Sequence, residues 1–86
     1  MRSVTFIGNS FEDFLEWGII DKQIQKRITR LIQEVRRTPF EGIGKPEALR
    51  GNLSGYWSRR INDEHRMVYE VTDSEIIIHL LRGHYD

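Results

Sequence analysis

Cysteine is absent from the 86 residues, which excludes a disulfide framework, a thiol nucleophile and a thiolate metal site. Proline is scarce, and both copies, Pro39 and Pro46, fall in one short stretch. Net charge is also missing: 13 basic and 13 acidic side chains cancel at pH 7. Any surface that faces a polyanion must therefore come from segregation of charge, not from excess. No apolar run approaches the length needed to span a bilayer. The opening "MRSVTFIGNSF" is too short, and too soon interrupted by polar residues, to serve as a signal peptide. The expectation is a cytoplasmic protein with no membrane association.

The charge is indeed segregated. Residues 21–50 carry eight basic side chains against four acidic ones, between flanks in which acids outnumber bases. Such a middle can form a basic patch, or merely the solvated face of a helix. The length suits one domain, 1–86, which buries roughly 60–65% of the surface its unfolded chain exposes.

Periodicity divides the chain in two. Residues 2–7 ("RSVTFI") alternate as a strand does. "NSFEDFLEWG" reads as a helix with Ser10 as N-cap, Phe11, Phe14 and Leu15 on one face, and Gly18 as its end. Asp21 opens a longer helix reaching about Arg37, in which Ile24, Ile28, Leu31 and Val35 form one apolar stripe. Thr38-Pro39 stops it. "TPFEGIGKPEA" is a loop, after which the period falls to two. "GYWSRRI" and "RMVYEV" form a hairpin around "NDEH", and "EIIIHLLRGHY" is the longest apolar strand, expected at the centre of the sheet. The predicted fold is α+β: an antiparallel-rich sheet of four to five strands with the two N-terminal helices packed on one face.

Familiar catalytic signatures are missing. "GIGKP" lacks the spacing of a phosphate loop and reads as a turn. His65, His79 and His84 have no metal-ligand spacing, and no serine sits in a nucleophile elbow. No metal and no cofactor are expected. What remains is a carboxylate, Glu47, in the restricted loop; guanidiniums at Arg59, Arg60 and Arg66; and His84 with Tyr85 at the terminus. Those groups suffice to cut RNA without a metal. A carboxylate accepts the ribose 2′-hydroxyl proton, an arginine stabilises charge on the phosphate, and an imidazole protonates the departing 5′-oxygen.

"RRTPFEGIGKPEAL", "NLSGYWSRRINDEHRMVYEV" and the terminal "HY" together resemble the YoeB/Txe toxins of type II toxin–antitoxin modules, within the RelE superfamily. The likeness covers essentially the whole chain. It implies a RelE-like fold and a toxin that enters the ribosomal A site and cleaves mRNA there, held inactive by a YefM-like antitoxin. It also implies a homodimer, and contact with operator DNA only through the antitoxin complex. Position by position, Glu47 becomes the general base, Arg66 the phosphate stabiliser and His84 the general acid. Tyr85 orients or stacks on the substrate, and Lys45, Arg59 and Arg60 hold the RNA backbone. Gly83 stands where such toxins often carry an aromatic, and Asp86 follows the tyrosine at which they end. A reading from another class is a catalytically weak module that docks its antitoxin and acts as a transcriptional co-repressor.

Several expectations follow from position alone. Arg59 and Arg60 are adjacent on a strand and so point to opposite faces. A symmetric four-residue "NDEH" turn sets Arg66 opposite Ile61, with Arg59 on its face; a bulge reverses this. Tyr56, Trp57 and Tyr69 suit core or half-buried sheet positions. His79 suits a satisfied core position and His65 a solvated turn. Lys22, Lys26 and Arg30 line one exposed side of the long helix, as a solvated face or a contact to ribosomal RNA.

Overall fold

The apolar stripe of the long helix decides where the layers meet. In the computed structural model, which describes residues 1–83, the elements run β1 (Ser3–Phe6), α1 (Ser10–Ile20), α2 (Lys22–Val35), β2 (Glu47–Ala48), β3 (Trp57–Arg60), β4 (Arg66–Val71) and β5 (Glu75–Leu80). A 3-10 turn, Gly51–Leu53, lies between β2 and β3. Ile28, Leu31 and Val35 of α2 are fully buried and pack with Trp17 of α1 against Met67, Tyr69, Ile76 and Ile78 of the sheet. The sheet order is β1-β5-β4-β3-β2, with β1 parallel to β5 and the other pairs antiparallel. The α+β expectation holds. The middle strand, however, is β4; β5 lies one place nearer the edge because β1 pairs on its far side. Among the described residues no helix is long and apolar enough to cross a membrane.

Local chemistry sets the helix ends. Asp21 caps α2, its Oδ1 accepting from the N–H groups of Gln23 at 3.0 Å and Ile24 at 3.4 Å. Ser10 is not the cap of α1. That place belongs to Asn9, and the buried Ser10 hydroxyl instead donates to the carbonyls of Ile7 and Ile78, tying the helix start to β5. Nor does Gly18 end α1, which continues to Ile20. A side chain there would meet Gln25, whose Nε2 donates to the Phe14 carbonyl at 3.0 Å, so the glycine provides room for the two helices to touch. Phe11 and Leu15 stay about half exposed on the outer side of α1.

The hairpin register resolves the arginine question. Arg60 pairs with Arg66 and Arg59 with Met67. The turn spans five residues, not four, because the Asn62 Oδ1 accepts from the N–H groups of Glu64 and His65 while Ile61 N–H donates to the His65 carbonyl. Arg59 therefore points toward the helices and is completely buried. Its Nη1 donates to Glu34 Oε1 at 2.7 Å and to the Ile43 carbonyl at 3.1 Å; Nη2 donates to the carbonyls of Thr38 at 2.5 Å and Glu41 at 2.9 Å. Nε donates to the Tyr69 hydroxyl, which in turn donates to the Pro39 carbonyl at 2.8 Å. The expected RNA contact at Arg59 is thus corrected: a guanidinium spent on five internal acceptors cannot face a phosphate.

Burial alone would raise the Glu34 carboxyl, but the Ile43 N–H and the Arg59 guanidinium outweigh it and hold it below its ordinary value of 4.5. A carboxylate depressed in the folded state stabilises the fold above the unfolded value and loses that contribution as pH falls through the folded one. We predict that Glu34→Gln flattens the loss of stability seen by urea titration below pH 4.5. Arg59→Met is predicted to cost about 3–5 kcal/mol, as removal of one buried partner does. Wild-type stability in the Met variant would show that the cluster contributes nothing.

Candidate active site

The loop pinned on Arg59 leads straight into the first candidate residue. Arg60 N–H donates to the Gly44 carbonyl at 2.6 Å, closing the loop against β3. Gly44 has φ +81, and a Cβ there would lie 3.1 Å from the Arg60 carbonyl oxygen. Lys45 follows in a left-handed conformation at φ 50, and the chain then enters β2 with Glu47 opposite Ser58. Ser58 is paired in turn with Val68. Since neighbours across a sheet share a face, Glu47, Ser58, Arg60 and Arg66 all lie on the side away from the helices.

Lys45, Glu47, Ser58, Arg60 and Arg66 together line an open cavity of about 210 Å³. Glu47 and Lys45 are exposed, Arg60 and Arg66 half-buried, and Ser58 buried. Arg60 Nη2 pairs with Asp63 Oδ1 at 2.6 Å. Arg66 Nη1 donates to the carbonyls of Asn62 at 2.7 Å, His65 at 3.1 Å and Asp63 at 3.3 Å, which fixes one corner of its planar fork on the hairpin turn. A carboxylate on one rim and two guanidiniums with an ammonium on the others can take a proton and hold an anion in the same space. His84 and Tyr85 lie outside the described residues, as does Asp86.

Four of the sequence candidates, Lys45, Glu47, Arg60 and Arg66, thus meet, while Arg59 does not join them. Ser58 joins them unannounced by any catalytic motif, its place two residues before Arg60 putting it on the same face. His79 is satisfied but not in the core: it sits half-buried where the β4–β5 register shifts, bonded to Glu70 Oε1 at 2.6 Å and packed on the Tyr56 ring. His65 is not solvated, because its ring stands edge-on to buried Trp17 with centroids 4.8 Å apart. A wider groove of about 480 Å³ runs beside Arg30, Arg36 and Arg37, but its carboxylate, Glu34, is committed to Arg59. Lys22, Lys26 and Arg30 are exposed on α2. Among the described residues no group of three His, Asp or Glu side chains is placed to hold a metal ion.

Comparison with known proteins agrees along nearly the full length. Residues 6–85 match the family described as YoeB-like toxin of bacterial type II toxin–antitoxin system. The chain is 58% identical over 85 residues to Toxin YoeB of Mycobacterium bovis, covering 99% of this chain and 100% of that one. Two solved structures from Staphylococcus aureus superpose closely. A YoeB dimer has TM-score 0.89 at 46% identity, with 98% of each chain covered. The toxin in a heterotetrameric YoeB–YefM toxin–antitoxin complex has TM-score 0.88 at 45% identity, with 99% of each chain covered.

The loop geometry yields a prediction. Gly44→Ala combines positive-φ strain with close contact to β3, and is expected to cost about 1–3 kcal/mol in urea unfolding. An unchanged midpoint would show that the loop is not held by Gly44.

Proposed function

Because the chain belongs to the YoeB-like toxin family of bacterial type II toxin–antitoxin systems, we propose that it is a metal-independent, ribosome-dependent endoribonuclease that cleaves mRNA in the A site and so stops translation. The observation that carries this reading is the convergence of Glu47, Arg60, Arg66 and Lys45 around one open cavity. Glu47 accepts the proton of the ribose 2′-hydroxyl as that oxygen attacks the adjacent phosphorus. Negative charge accumulates on the phosphate oxygens and is met by Arg66, whose fork matches two oxygens at once. Arg60 and Lys45 hold the RNA backbone. His84 donates a proton to the departing 5′-oxygen, and Tyr85 orients or stacks on the substrate. The products are a 2′,3′-cyclic phosphate and a 5′-hydroxyl, so atoms and charge balance without a cofactor.

The partners follow from the same membership. A homodimer is proposed by analogy with the Staphylococcus aureus YoeB dimer, and a YefM-like antitoxin by analogy with the YoeB–YefM complex. Operator DNA is contacted only through that antitoxin complex. Work in the A site places the enzyme in the cytoplasm.

Expression of the wild-type chain is predicted to arrest growth, and Glu47→Ala or His84→Ala to abolish arrest with the circular dichroism spectrum unchanged. Loss of one proton-transfer group is expected to cost about 10²–10⁴-fold in rate. Arrest persisting in both variants would exclude this mechanism and favour toxicity by binding alone.

A further inference from the structure

The last described residue, Gly83, is held at both its backbone polar groups by the start of β4. Its N–H donates to His65 Nδ1 at 2.8 Å, and its carbonyl accepts from Arg66 N–H at 3.0 Å. The preceding residues are also tied down: Leu81 is fully buried, its carbonyl accepts from Trp17 Nε1 at 2.9 Å, and Arg82 lies over the Trp17 ring while pairing with Glu16. An Nδ1 that accepts a hydrogen bond carries no proton, so His65 is neutral here with its hydrogen on Nε2. Glu64 Oε1, 3.8 Å from Nε2, lies on that side. The ring cannot swing away freely, because it is packed edge-on to Trp17. Gly83 itself has φ +90, a left-handed conformation that suits glycine at this turn.

We propose that His65 is a positioning residue for catalysis: its unprotonated Nδ1 fixes Gly83, and through the next peptide bond the point from which His84 reaches the substrate. The inference rests on the role of His84 proposed above. It assigns work to a histidine that touches no substrate, and gives the glycine before His84 a backbone purpose. The same few atoms also bind Arg66, since residues 65 and 66 supply the two contacts to Gly83. Gly83, to which His84 is bonded, and Arg66 thereby share one support, the kind of shared frame that productive catalytic geometry requires.

The test uses the purified full chain, with two variants and two readouts. His65→Phe keeps an aromatic ring against Trp17 but puts a C–H where Nδ1 accepts; His65→Asn places an oxygen near that point and restores an acceptor. In cleavage of ribosome-bound mRNA, His65→Phe is expected to lower kcat about 10- to 100-fold with KM little changed, and His65→Asn to recover most of it. In NMR, the wild-type Gly83 amide is expected to exchange slowly with solvent, and long-range proton–nitrogen spectra to report His65 Nδ1 as the unprotonated nitrogen. Equal kcat in wild type and His65→Phe, or rapid Gly83 exchange in the wild type, would overturn the proposal. If neither variant folds, the wild-type NMR signatures decide it. A wild-type protein that shows those signatures but cuts no RNA would sustain the Gly83 anchor and refute the endoribonuclease reading instead.

Discussion

A buried guanidinium organises this fold. Arg59 leaves β3 on the helical side, where water cannot reach it, and finds its partners in Glu34 of α2, three carbonyls of the loop after α2, and Tyr69 of β4. A charge so placed is tolerable only when every donor is used and an opposite charge is near. That requirement fixes the path of residues 38–43 together with apolar packing of Ile43 on the core and of the Phe40 ring on Trp57, centroids 4.9 Å apart. Tyr69 seals the arrangement from the far side, and its burial, only partly offset by the neighbouring Arg59, raises its hydroxyl above the ordinary tyrosine value of 10.0. The loop is thereby fastened to Arg59, and its continuation carries Glu47 to the opposite face of the sheet.

The two faces thus have a division of labour. One carries the apolar contacts of α1 and α2 and supplies most of the burial; the other, free of helices, presents Lys45, Glu47, Arg60 and Arg66. Strand alternation links them, since Arg59 can be sealed inside only if Arg60 faces out. Trp17 acts as a second anchor at the chain's other end, binding the Leu81 carbonyl from within the core and supporting both His65 and Arg82. The candidate site therefore depends on two buried aromatic or charged groups that never enter it.

Much of this was legible in the sequence. The stripe Ile24, Ile28, Leu31 and Val35 has one plausible reading, and the switch of period after the 38–48 loop marks off the C-terminal strands, although the short β2 at Glu47–Ala48 lies inside that loop. Lys45, Glu47, Arg60 and Arg66 were also within reach, chiefly through the resemblance that their motifs carry. What escaped was decided by tertiary contact. The choice between Arg59 and Arg60 turns on a five-residue hairpin stabilised by the Asn62 side chain, and strand alternation alone leaves a symmetric turn and a bulged one equally open. Gly18 looked like a stop signal because its alternative use, room for Gln25 on another helix, lies outside any local window. His65 looked solvated because its partners, Trp17 and Gly83, are 48 residues before and 18 after it.

We propose that Glu47 makes this scaffold a nuclease that acts on the ribosome. Primer-extension mapping of a translating message, with and without ribosomes and beside Glu47→Ala, addresses it most directly. Cuts confined to the codon in the A site, absent without ribosomes and absent with Glu47→Ala, are the predicted result. Equal cutting of naked RNA would contradict dependence on the ribosome, and no cuts in any lane would contradict the nuclease itself.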